Sequence, residues 1–216
     1  LVAKAVEIVL LENAVSFEQL QVSTDAGLFD LLANADIKDT HSRELLNIYL
    51  HALKRRQLPK RAAVYPVYAN AQAQEELVAK YFGAGSANHR RKVESKMTAE
   101  LYKLTGRLIP FMLYCPSSKM QLKQAKMMVH WPGDNNLTRL SEHSNKVPRL
   151  LDIEQSYGRM WKFYVHVLGA DDQEMKLARQ ICSQFFPEVN NVLTRADSFS
   201  SAHSSSASEA ANEILK

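Results

Sequence analysis

The chain has 216 residues, 46% of them hydrophobic and 23% charged, with 7 Gly, 7 Pro and 2 Cys. That composition excludes a disulfide scaffold and a collagen-like or low-complexity chain, and no apolar run approaches the roughly 20 residues that cross a bilayer. The net charge of +4 is modest, but its distribution is uneven: residues 1–53 carry −5, residues 54–149 carry +12 and residues 150–216 carry −3.

In chain order, Val2, Val6, Val9, Leu10 and Asn13 share one face of a first helix. Ser16 caps a short second helix, and Ser23-Thr24-Asp25 caps a third through Leu28, Phe29, Leu31 and Leu32. Asp39-Thr40 opens a fourth, whose apolar positions Leu45, Leu46, Tyr49, Leu50 and Leu53 recur at helical spacing. Lys54-Arg55-Arg56 then falls at the negative end of its dipole, and Pro59 stops it. A helix-turn-helix over these short helices is disfavoured: the segment from Asp25 to Ala33 carries Asp25 and Asp30 and no Lys or Arg.

Ala62 to Ala69, around Pro66, is the single extended segment expected. Helices are predicted from about Gln72 to Phe82 and from Ala87 to Leu108, the second with a stripe of Val93, Met97, Leu101, Leu104 and Leu108. Ser117-Ser118 caps a predicted helix to about His130. Trp131-Pro132-Gly133-Asp134 has turn chemistry. Further helices are predicted over Asn136 to Ser144, over Leu150 to Leu168 with Gly169 as its cap, and from Asp171-Asp172 to about Phe186. A last short helix begins at Pro187. Seven of the eleven residues from Ser198 to Ser208 are Ser, the composition of a flexible tail.

The expected fold is therefore all-α, a multi-helix globular bundle of about eight to ten helices. Its expected parts are an acidic helical subdomain over 1–58, a basic central region over 59–149, a helical hairpin over 150–197 and a Ser-rich tail over 198–216. The chain starts at Leu rather than Met and reads as a fragment or processed product. Its two widely separated cysteines read as buried free thiols in a reducing compartment, which gives a cytoplasmic expectation, or a virion if this is a coat protein.

Catalytic signatures are absent. There is no Walker loop, dinucleotide fingerprint, Cys-x-x-Cys or His-Glu-x-x-His. Gly83 and Gly85 form a helix break. The seven histidines are scattered, with only Asp134 beside His130, so no metal site is expected. Cys115 and Cys182 sit among apolar residues, which raises a thiol's pKa and disfavours nucleophilic use. The expectation is a non-enzyme without cofactor.

The basic residues fall in four clusters: Lys54, Arg55, Arg56, Lys60 and Arg61; His89, Arg90, Arg91 and Lys92, with Lys96 one turn on; Lys119, Lys123, Lys126 and His130; and Arg139, His143, Lys146 and Arg149. Crowded like charge destabilises a fold unless an anionic partner relieves it. The chain's own acidic flanks or a membrane surface would serve, but Tyr65, Tyr68, Tyr102, Tyr114 and Trp131 lie in the same block. Aromatics among cations suit single strands, where bases stack and phosphates pair. The reading is a nucleic-acid-binding protein for RNA or single strands, of nucleocapsid or coat type in that acidic ends pair with the basic middle of another copy in a homo-oligomer. The alternative is a helical adaptor or assembly subunit whose basic face takes an acidic protein.

Overall fold

In the computed structural model the described residues are 1–116, 127–133, 136–140, 149, 152–153, 156 and 160–193. They form two compact units. One is Leu1–Lys60 with Leu168–Ala170, and the other takes in the remainder from Arg61 onward.

The first unit is helical. It contains α1 (Val2–Leu11), α2 (Phe17–Gln21), α3 (Asp25–Ala33) and α4 (Thr40–Lys54). Each of the last three starts where a short polar side chain can take an orphan amide. Ser16 and Gln19 close a reciprocal capping box, the Thr24 hydroxyl accepts from Gly27 N, and Asp39 accepts from Ser42 N at 2.7 Å. The buried Ser42 hydroxyl donates to Glu12 at 2.8 Å, which ties α4 to the end of α1. Ala5, Ile8 and Val9 of α1, Leu32 of α3 and Leu45, Leu46, Tyr49 and Leu50 of α4 are buried where these helices meet.

The second unit is not helical throughout, and here the all-α expectation is overturned: the fold is mixed α/β. Three strands, β1 (Lys60–Pro66), β5 (Lys162–Val167) and β2 (Phe111–Tyr114), form an antiparallel sheet in the order β1-β5-β2. A second, two-stranded sheet pairs β3 (Met128–His130) with β4 (Leu137–Arg139). Among the described residues this unit's helices are α5 (Gln74–Phe82), α6 (Ala87–Thr105) and α7 (Asp172–Phe185), with a 3-10 turn at Val67–Ala69.

The largest departure is β5. A helix over Leu150 to Leu168 was expected from the spacing of Tyr157, Trp161, Tyr164 and Leu168, yet residues 162–167 are a strand. The reason lies in the alternation. Phe163, Val165 and Val167 are buried while Lys162, Tyr164 and His166 are half-buried, and the segment is aromatic and β-branched, which suits a pleated surface. Gly169, at φ 78, turns the chain out of the strand instead of capping a helix. The helix expected to reach His130 gives way to β3 at its end, with residues 117–126 outside the described residues. The helix expected over Asn136 to Ser144 gives way to β4 at Leu137–Arg139. Between them Gly133 takes φ 89, as the turn chemistry requires. The segment expected to be extended over 62–69 is strand to Pro66 only. The Ser-rich tail lies outside the described residues.

Helix α6 does two things for the sheet. Met97 and Leu101 are fully buried, whereas Leu104 is 62% exposed, so the buried stripe is narrower than the expected one. Beside that stripe, the Thr98 hydroxyl accepts from Phe111 N at 3.0 Å and a Glu94 carboxylate oxygen accepts from Leu113 N at 2.7 Å. Both amides belong to the edge strand β2, and both would otherwise be unpaired. At the opposite edge, Asn191 accepts from Val64 N at 3.0 Å. Tyr65, Tyr81, Phe163 and Phe186 pack ring against ring at centroid distances of 5.5 to 6.0 Å and fill the space between the sheet and the helices.

Candidate nucleic-acid interface

Antiparallel pairing puts directly opposed residues on the same face of a sheet. In the register of β2 with β5, Tyr114 stands opposite Tyr164 and Met112 opposite His166. The face away from Phe163, Val165 and Val167 therefore carries Tyr114, Tyr164 and His166, with Lys162 at its end by alternation.

These rings touch one another. Tyr114 and Tyr164 stack with centroids 6.1 Å apart and planes at 28°, and Tyr164 and His166 stack at 5.5 Å and 29°. Tyr114 and His166 lie 6.5 Å apart, tilted. The guanidinium carbon of Arg61, from β1, sits 5.9 Å from the Tyr164 centroid, within cation–π range. A row thus runs across the sheet from Arg61 through Tyr164 to Tyr114. It ends on the edge strand, where Tyr114 is 53% exposed. Burial holds the His166 pKa below the usual imidazole value, and the Arg61 charge pushes the same way.

The cationic candidates are dispersed by the fold. Lys54 ends α4, Arg55 caps it and Arg56 follows at φ 54; all three are exposed and belong to the first unit. Lys60 is exposed at the start of β1, and Arg61 is exposed beside the tyrosine row. Lys92 is exposed on α6, Arg139 on β4, and Arg149 is exposed too. Arg91 is half-buried. Lys119, Lys123 and Lys126 lie outside the described residues.

Arg90 serves the interior. It donates from Nη1 to Tyr81 O at 2.7 Å and lies 4.7 Å from the Phe82 centroid, which fixes α6 against α5. His89 likewise stacks on Tyr81. Sequence reasoning placed Tyr114 among the basic block but overlooked Tyr164, His166 and Lys162, because it laid them on a helix. The alternation of Phe163, Val165 and Val167 with Lys162, Tyr164 and His166 is the sequence signal that points to them.

Among the described residues no group of three or more His, Cys, Asp or Glu is placed to hold a metal. Burial pushes the Cys115 thiol up to about 11 and the Cys182 thiol up to about 12. Among the described residues no helix is long and apolar enough to cross a membrane. No family model, curated protein or solved structure matches the chain.

Proposed function

We propose that this chain is a non-enzymatic nucleic-acid-binding protein directed at RNA or single strands, acting in the cytoplasm or in a virion and assembling with copies of itself. The observation that carries the reading is the exposure of Lys54, Arg55, Arg56, Lys60, Arg61, Lys92, Arg139 and Arg149 within a stretch of net charge +12. Phosphates neutralise exposed cations of this kind and release counterions on binding. Self-association follows from the same distribution, since the acidic first 53 residues of one copy complement the basic stretch of another.

The test is the state of the protein as purified. A high nucleic-acid absorbance relative to protein absorbance, lost on nuclease treatment, and elution as a large particle are the expected results. A nucleic-acid-free monomer contradicts the coat-like form of the proposal.

A second reading, an adaptor for another protein, is favoured by one feature. A cleft of about 350 Å³ lies between α5 and the end of α7, lined by Leu77, Lys80, Tyr81, Phe186 and Val189, with Glu76 and Glu188 at hand. Recovery of one stoichiometric protein partner, insensitive to nuclease, would favour that reading over the first.

A further inference from the structure

We infer that the row formed by Arg61, Tyr164 and Tyr114 on the sheet is a base-stacking site, with Tyr114 receiving an unpaired nucleobase of a single strand as the next member of the row. The inference rests on the nucleic-acid reading above and deepens it by separating where bases go from where phosphates go.

Three observations carry it. The first is geometric. Stacking surfaces are built in advance: Tyr114 and Tyr164 already lie within 28° of parallel, opposed in register on neighbouring strands, so little side-chain freedom is lost when a base arrives. The second is exposure. Rings that only fill a core are covered, as Tyr65 is, at 1% exposure. Tyr114 leaves about half of its surface uncovered at the sheet's edge, where an apolar ring gains from a partner with a π-face.

The third concerns charge and the identity of the occupant. Lys162, two residues from Tyr164 on the same face, supplies positive charge beside the stacked nucleoside, and Arg61 at the far end of the row supplies it for the neighbouring phosphates of the strand. Every nucleotide joins a flat aromatic ring to a negative charge, the pairing this face is built to take. Addition of a peptide strand at this edge is disfavoured, because Thr98 and Glu94 already occupy the outward amides of Phe111 and Leu113. What the edge offers is its side chains rather than its backbone. His166, beside both tyrosines, adds a third ring to the same face.

A duplex hides the faces of its bases, so the site selects single strands. Base–aromatic stacking contributes on the order of 1–3 kcal/mol per base, a factor of roughly 5 to 150 in affinity.

The experiment measures binding of the full chain to a fluorescein-labelled oligouridylate about ten nucleotides long, and to a blunt duplex of similar length, as a function of salt. Tyr114→Ala should weaken single-strand binding roughly 5- to 150-fold with the salt slope unchanged, and should leave duplex binding within about twofold of the parent. Tyr114→Phe should bind like the parent. An iodouracil-substituted strand should photocrosslink to a peptide containing Tyr114. If the parent binds single strands and Tyr114→Ala binds them equally well, or if crosslinks map elsewhere, the stacking site is wrong while the nucleic-acid reading stands. If the parent binds neither strand form at low salt, both are wrong. Tyr114 is half exposed, so the Tyr114→Ala variant is expected to keep the parent's far-ultraviolet circular dichroism, and that spectrum is recorded beside each binding measurement.

Discussion

Replacing Thr98 by Val tests how the helical and β parts of the second unit are joined. The substitution keeps the shape of the side chain and removes one oxygen. That oxygen accepts from Phe111 N at 3.0 Å and donates to Glu94 O at 2.8 Å, in a site where Thr98 is 4% and Phe111 1% exposed. The Glu94 carbonyl still has its helical partner available, so the larger loss is the Phe111 amide, left buried without an acceptor. A buried donor in that state costs about 1–3 kcal/mol. The methyl that replaces the hydroxyl returns up to about 0.8 kcal/mol. The expected net destabilisation is about 1–2 kcal/mol.

In urea, with a slope of about 2 kcal/mol per molar, the midpoint should fall by roughly 0.5–1 M with the slope unchanged. Thr105→Val supplies the control. Thr105 also accepts from a backbone amide, that of Arg107, but at an exposed position where water can substitute, so its change should stay below about 0.5 kcal/mol. A Thr98→Val midpoint within about 0.2 M of the parent would refute the idea that α6 side chains complete the edge of β2.

Further outcomes follow from the same contacts. Asn191→Ala strips the acceptor from Val64 N and should cost about 1–3 kcal/mol, measured by the same denaturation. Combining Thr98→Val with Glu94→Leu frees both outward amides of β2 and should raise light scattering on mild heating, since an uncovered edge templates association. Arg90→Met should lower stability by about 1–3 kcal/mol yet leave the salt slope of nucleic-acid binding unchanged, whereas Lys92→Gln should do the reverse. Both thiols should resist iodoacetamide at pH 8 in the folded protein and react once it is unfolded, because burial raises Cys115 to about 11 and Cys182 to about 12. For His166 the folded pKa lies below the unfolded one, so the unfolded chain binds more protons between the two. Its contribution is complete above the unfolded value near 6.5 and is lost as pH falls; His166→Phe should flatten the decline in stability below about pH 6.5.

Local chemistry made much of the helical structure readable. Ser16, Thr24 and Asp39 announce α2, α3 and α4 because each can accept a particular amide, and Asp171 with Glu174 does the same for α7. The strands were hidden for different reasons. β2 has four residues and β3 and β4 three each, too few for a period to register. β5 contains residues that fit both a helical stripe and an alternation, and only burial against α7 and pairing with β2 decide between them. The basic residues of the candidate site were legible as charges. Their roles were not: Arg90 turns inward because α5 packs on α6, and Tyr114 meets Tyr164 across fifty positions of sequence because β2 pairs with β5.

The claim that organises the rest is that the exposed cations of residues 54–149 bind the phosphates of a single strand. It is tested most directly by the affinity of the full chain for a fluorescent single-stranded RNA about twenty nucleotides long, measured from low to physiological salt. With about four phosphates neutralised, the affinity should fall on the order of 50-fold between about 50 and 200 mM salt, linear in the logarithm of salt concentration. Weak binding at low salt, or an affinity indifferent to salt, would contradict it.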